Sequence, residues 1–281
     1  MRLGIHVHVR GGYVAAIEHA ARIGAQAVQI FSSTPRSYRV APPDIEALNN
    51  FRQLREDAGI TPTIIHSSYL INLASEDQKI VAGSLRLLQH DFEVAAAADI
   101  RYVNAHLGSY GTRSRADGFA DACRALARVL ENIPPSVFLL MENSAGAGQL
   151  CGGTLEELGR FIRGVGHPQL GVCLDTAHAW AAGYEINSQR GVDDFLYEAA
   201  EQIGLDRLHL FHLNDTQVDL GANRDRHWHI ADGKIGFAGF RALAARPELE
   251  EKVGILETPG DVADDERNMR TIQMIFGGAA V

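Results

Sequence analysis

Short apolar runs alternate with amphipathic stretches eight times along this chain. The runs predict β-strands at Leu3–His6, Ala27–Phe31, Thr63–His66, Tyr102–His106, Val137–Glu142, Gly171–Asp175, Leu208–Leu213 and Val253–Glu257, each short and bounded by turn-forming residues. Apolar positions at helical spacing between them predict helices at Tyr13–Ile23, Asp44–Ala58, Asp77–Ala97, Gly118–Asn132, Thr154–Val165, Val192–Ile203, Phe237–Ala245 and Asp264–Ile275. Pro42-Pro43 ahead of the second helix, and Thr154 with Glu157 at the fifth, are helix-start signals. Strict strand–helix alternation implies parallel strands joined by right-handed crossovers, and eight such units close into a (β/α)8 TIM barrel. A doubly wound open sheet is disfavoured: no GxGxxG turn follows the first strand, where Gly11-Gly12 stand alone. With no linker, low-complexity tract or internal repeat, one barrel domain over residues 1–281 is expected.

The ends of those strands carry the chemistry. His66, His106, Glu142, Asp175 and Glu257 terminate strands three, four, five, six and eight, and His212 stands one residue before the end of strand seven. His178 follows Asp175 by three residues, and Asp225 and His227 sit two apart in the loop after strand seven. In a (β/α)8 barrel the carboxyl ends of the strands converge on one face. Nine ligand-type side chains gathered there are too many for one ion, and a mixed imidazole–carboxylate set suits zinc better than magnesium or an iron–sulfur cluster. Other histidines read more plainly. His6 and His8 are expected to be polar core or supporting residues, and His19, His90 and His167 to be solvated. His209 is expected to face the helices, three residues from His212. Asn143-Ser144-Ala145-Gly146 reads as a turn, and Asp215 as a hydrogen-bond acceptor for a metal-bound imidazole.

Composition bounds this picture. With 281 residues, 46% hydrophobic and 22% charged, the chain suits a globular protein. No apolar run is long enough for a membrane span, and the N-terminus does not read as a signal peptide. Three widely spaced cysteines, Cys123, Cys151 and Cys173, form no disulfide framework, and a cytoplasmic location is expected. The net charge of −9 argues against a broadly basic phosphate-binding groove.

With those residues in view, the chain resembles the endonuclease IV family, zinc-dependent apurinic/apyrimidinic endonucleases of the xylose-isomerase-like barrel superfamily. The likeness runs over the whole length. It is carried by HSSYLINLAS at 66–75, NAHLGS at 104–109, MENSAGAG at 141–148, VCLDTAHAWAAGY at 172–184, HLNDTQVDLGANRDRHWHIADGKIG at 212–236 and ILETPG at 255–260. The resemblance implies three zinc ions, with manganese able to replace part of the zinc. His66, His106 and Glu142 would hold the first; Glu142, Asp175, His212 and Glu257 the second; His178, Asp225 and His227 the third. Glu142 is then the shared ligand, and the nucleophile is a metal-activated hydroxide rather than a side chain. Three divalent ions would outweigh the four carboxylates at the site and make it attractive to a phosphodiester.

By the same resemblance the substrate is duplex DNA containing an abasic site, cut on its 5′ side to leave a 3′-hydroxyl, with 3′-end phosphodiesterase activity besides. The wedge residues map onto Tyr69 and Leu70 and a minor-groove arginine onto Arg36. A monomer is expected. The chain departs from the family at Ser67, where aspartate is more usual, at Ser33-Thr34, and at Ile230-Ala231-Asp232-Gly233, where the turn is usually richer in glycine. None of these removes a ligand. They bear on DNA affinity and loop geometry. The rival readings are a mononuclear sugar isomerase or epimerase using Glu142, Asp175, His212 and Glu257 alone, and a catalytically silent binding barrel.

Overall fold

The computed structural model describes residues 1–278. Strands β1 (Arg2–His6), β2 (Ala27–Phe31), β3 (Thr63–His66), β4 (Tyr102–Ala105), β5 (Phe138–Glu142), β6 (Leu170–Asp175) and β7 (Leu208–His212) are followed by a two-residue antiparallel pair, β8 (Asp215–Thr216) with β9 (His227–Trp228), and then by β10 (Val253–Leu256). The eight longer strands close into a barrel in the order β1-β10-β7-β6-β5-β4-β3-β2, and the neighbouring pairs run parallel. Around it lie α1 (Tyr13–Arg22), α2 (Ile45–Asp57), α3 (Gln78–Ala97), α4 (Arg115–Leu130), α5 (Leu155–Val165), α6 (Thr176–Ala182), α7 (Gln189–Gln202), α8 (Gly236–Ala244) and α9 (Val262–Gly277). No described helix is long and apolar enough to cross a membrane.

The strand period of two divides each strand's residues between two cores. Ala27, Ile64, Leu140, Cys173, Leu210, Val253 and Ile255 fill the barrel's interior, whereas Val28, Ile30, Ile65, Val103, Leu139 and Phe211 pack outward under the helices. Interior space is tight at β1. A Cβ on Gly4 would lie 2.2 Å from the Ala27 carbonyl oxygen, so only glycine fits there. Helix starts are fixed by side chains. Asp44, Asp77, Ser114, Thr154, Asp175, Ser188 and Asp261 each accept a first-turn N–H, worth about 1 kcal/mol apiece.

Several expectations are corrected. β4 ends at Ala105 and β10 at Leu256, so His106 and Glu257 stand one residue beyond their strands, and His212 is the last residue of β7 rather than the one before it. The short helix α6 and the β8–β9 pair interrupt the simple alternation. His209 does not face the helices. The β6–β7 register shifts between Val172 and Cys173, so that Val172 pairs with Leu208 but Cys173 with Leu210. The extra residue, His209, turns to the amino-terminal end of the barrel's interior, stacking on Tyr102 and meeting Phe138 edge-on, ring centroids 5.5 and 5.2 Å away. Burial, with Lys252, Arg101 and Arg207 nearby, pulls its pKa down to about 4. His90 is buried rather than solvated, and His19 and His167 are half-buried. His19 bonds Asp265 (2.9 Å), and His167 Nδ1 accepts the Gln169 N–H (3.2 Å).

Candidate metal centre

At the carboxyl end of the barrel, side chains from five strands, three loops and helix α6 converge around Glu142. The β5 strand ends in this carboxylate, which is 1% exposed. Its Oε2 lies 3.2 Å from His66 Nε2 and 3.5 Å from His106 Nε2, and its Oε1 lies 3.2 Å from His212 Nδ1 and 3.4 Å from His178 Nδ1. Asp175 is equally central. Its Oδ2 stands 3.9 Å from His212 Nδ1 and 3.4 Å from His227 Nε2, while its Oδ1 accepts the His178 N–H (2.8 Å) and thereby starts α6. That cap places His178 one helical turn from Asp175, on the same side of the site.

Ligand-type atoms fall into three groups, each within 4.8 Å: His66, His106 and Glu142; Glu142, Asp175, His212 and Glu257; and Asp175, His178 and His227. The first two match the expected sets. The third joins Asp175 to His178 and His227. Asp225 is 60% exposed at its side chain, yet it still faces both imidazoles, 3.4 Å from His178 Nε2 and 3.3 Å from His227 Nε2.

Each of four imidazoles has one nitrogen held by an acceptor. His66 Nδ1 donates to the Ser67 carbonyl (2.8 Å), His178 Nδ1 to that of Asn143 (3.0 Å) and His227 Nδ1 to that of Glu257 (3.1 Å). His212 Nε2 donates to Gln29 Oε1 (2.9 Å). The opposite nitrogen is thereby left for the site, which is how metal-binding imidazoles are normally oriented. His227 Nε2 is buried there without a hydrogen-bond partner. A buried, unpartnered nitrogen facing carboxylates costs free energy unless something else satisfies it, and a cation fits.

Charge is strongly coupled across the group. Burial opposes ionisation of Glu142, but the imidazoles of His106, His212 and His178 hold it well below the usual carboxylate range. Glu257 is likewise lowered against its burial by His212, His6 and His66, and Asp225 against its burial to about 2 by His178 and His227. Conversely, burial would strip protons from His178 and His212, yet neighbouring Asp175 for the one, and Cys173, Glu257 and Glu142 for the other, raise both well above an ordinary imidazole. The arrangement is a cage for positive charge. Beside it opens a cavity of about 460 Å³, with Arg36, Tyr69, His8 and Thr258 at its rim.

A sequence profile described as xylose isomerase-like TIM barrel matches residues 17–275. A curated relative from Natranaerobius thermophilus, named probable endonuclease 4, is 38% identical, over 99% of this chain and 98% of its own. The chain belongs to the endonuclease 4 family. The crystal structure of endonuclease IV from Thermus thermophilus superposes with a TM-score of 0.85 at 35% identity, covering 99% of this chain and 100% of that one. A D-tagatose 3-epimerase-like protein also shares the barrel, with a TM-score of 0.73 over the full length of both chains, but at 18% identity that likeness concerns fold alone.

Against this endonuclease 4 scaffold, all nine expected ligand positions lie at one mouth. Tyr69 is exposed over it, its ring 5.3 Å from Phe31 and 6.0 Å from His66, and Arg36 is exposed beside it. Leu70 is only half-exposed and packs against the core, and its carbonyl accepts the Tyr38 hydroxyl (2.8 Å). His8 is exposed at the rim rather than in the core. Asp215 supports no imidazole. It accepts the backbone N–H groups of Thr216, Gly233, Ile235 and Gly236, fixing the loop that leads into α8.

Sequence reasoning missed the amides. Asn104 Nδ2 donates to Glu142 Oε2 (2.7 Å), and Asn214 Nδ2 to Asp175 Oδ2 (2.7 Å). Asn143, expected in an ordinary turn, clasps the Asp175 backbone through both its amide atoms. Their signal was a polar residue at or beside the end of an apolar run. Ser67, one of the departures from the family, donates to Asp91 Oδ2 (2.6 Å), a buried carboxylate on α3 that also accepts from Ser32.

Proposed function

We propose that the protein is a zinc-dependent apurinic/apyrimidinic endonuclease, hydrolysing the phosphodiester 5′ to an abasic site in duplex DNA and trimming 3′ ends at the same centre. The observation that carries this reading is the linkage of three ligand groups through Glu142 and Asp175. A mononuclear isomerase or epimerase would need Glu142, Asp175, His212 and Glu257 alone. It leaves His66, His106, His178 and His227 gathered at the same mouth for no purpose.

In this reading the first group holds one zinc, the central group a second, and His178 and His227 a third with help from Asp175 or Asp225. Bound zinc supplies an acidified water and neutralises phosphate charge. The chain's own residues do the rest. Glu142 fixes the spacing between the first two groups. Asn104 and Asn214 hold the carboxylates in their ligating orientation. Tyr69 and Leu70 fill the space left by the missing base, and Arg36 enters the minor groove, selecting a nucleotide that costs less to extrude than a paired one. The protein acts as a cytoplasmic monomer, and manganese is able to replace part of the zinc.

A duplex carrying a single abasic site tests the proposal. Zinc-loaded protein should cut it on the 5′ side and leave a 3′-hydroxyl, while Glu142→Ala should leave it intact with an unchanged circular dichroism spectrum. An uncut duplex with fully zinc-loaded wild-type protein would overturn the reading.

A further inference from the structure

Strand β2 ends in no ligand, yet it places a polar side chain, Gln29, in the barrel's interior among Ala27, Ile64 and Ile255. Gln29 is completely buried. An amide in an apolar barrel is costly unless both ends are bonded, and here both are. Its Nε2 donates to Glu257 Oε1 (2.6 Å) and lies 3.0 Å from His6 Nδ1, and its Oε1 accepts from His212 Nε2 (2.9 Å). The orientation is unambiguous on chemical grounds. A flipped amide would set its oxygen against the Glu257 carboxylate and its NH2 group against the His212 nitrogen that must donate.

We infer that Gln29 is the positioning residue of the central metal group, fixing the His212 tautomer and the Glu257 carboxylate together. With Nε2–H committed to Gln29, His212 presents Nδ1 to the site, where it lies 3.2 Å from Glu142 Oε1, 3.2 Å from Glu257 Oε2 and 3.9 Å from Asp175 Oδ2. With Oε1 of Glu257 engaged by Gln29, Oε2 is the oxygen turned inward. Two of the four ligands of that group are therefore set by one amide. Neither the His66 and His106 group nor the His178 and His227 group touches it, so its influence is confined to one ion. His6 backs the same carboxylate from β1, with Nδ1 3.4 Å from Glu257 Oε1.

This inference rests on the proposed metal centre, and its test separates the two. Gln29→Met keeps a similar volume and loses both hydrogen bonds; Gln29→Glu keeps the acceptor for His212 but sets a second carboxylate against Glu257. Zinc affinity would be measured by chelator competition on both variants and on wild type, together with 15N spectra of histidine-labelled, metal-free protein at a pH high enough to leave His212 neutral. The expected result for Gln29→Met is a ten- to hundredfold weaker affinity for one zinc of the set, the scale seen when a supporting partner is removed. Loss of the Nε2–H tautomer signature of His212 should accompany it. Gln29→Glu should keep that signature while still weakening the same ion. Wild-type affinity in a folded Gln29→Met protein, or equal weakening of every ion, would overturn the inference. Wild-type protein that binds no zinc at all would instead overturn the metal centre itself.

Discussion

Asp175 Oδ2 lies 3.4 Å from Nε2 of His227, and the same carboxylate caps the helix that carries His178. One side chain thus joins two metal groups and builds the turn between them. Replacing it with asparagine keeps the Oδ1 cap but sets an NH2 group against Asn214 Nδ2, which donates to Oδ2 in the wild type, so the metal-free protein should lose about 1–3 kcal/mol. The ligand oxygen becomes half of a neutral amide. We expect Asp175→Asn to lose more than one zinc per chain, measured by elemental analysis after desalting, with a lower melting temperature and an unchanged circular dichroism spectrum. Retention of the full wild-type zinc content would contradict the role.

Tyr69 is 57% exposed over the site, an unusual placement for a large aromatic ring. Its exposure has a use if the ring stacks in the gap of an abasic duplex. Tyr69→Ala should weaken binding to such a duplex by about 1–3 kcal/mol, roughly ten- to a hundredfold, a typical cost of losing one stacked aromatic. Zinc content should hold. Fluorescence anisotropy with abasic and intact duplexes reads the difference, and an equal loss on both would argue against a wedge.

Burial pushes the Asp91 carboxyl up to about 6, although the hydroxyls of Ser32 and Ser67 donate to it. The folded protein therefore binds this proton more tightly than the unfolded chain, whose carboxyl titrates near about 4. Where the folded state holds more protons, stability falls as pH rises. The contribution is full below about pH 4 and is lost as pH climbs through about 6. Asp91→Asn removes that dependence. The unfolding free energy of metal-free wild type minus that of the variant should drop by up to about 3 kcal/mol across this window. A flat difference in urea melts at several pH values would contradict it.

Ala231 adopts φ +68, a left-handed conformation that side chains with a Cβ resist, in the turn where the family is richer in glycine. Ala231→Gly should relieve that strain at the cost of some unfolded-chain entropy, for a net gain of up to about 1 kcal/mol. A higher denaturant midpoint at unchanged slope would record it. A lower midpoint would mean the strain is not there.

The barrel and its mouth were largely legible because they rest on local rules. A histidine or carboxylate at the carboxyl end of an apolar strand has no packing reason to be there, and strand after strand repeats the anomaly. What escaped depends on geometry the pattern does not carry. Helix α6 is too short to show a period, and its cap, Asp175, is itself a candidate ligand, so the start signal hid in the metal signal. The bulge that turns His209 inward is a register shift between two strands and leaves no mark in either alone. The supporting amides lie within or just beyond hydrophobic runs, where Gln29 looks like an interruption until its partners on β7 and beyond β10 are known. Asp175 joins the third group beside Asp225 because it caps α6: its Oδ2 lies 3.4 Å from His227 Nε2, and Asp225 Oδ1 lies 3.3 Å from the same nitrogen, a sharing that the strand pattern does not carry.

Crystals of zinc-loaded protein, measured on both sides of the zinc absorption edge, test the central claim most directly. Three anomalous peaks should appear at the barrel mouth: one beside His66 and His106, one beside His212 and Glu257, and one beside His178 and His227. A single peak at the Glu142, Asp175, His212 and Glu257 group, with the remaining histidines turned away, would contradict it.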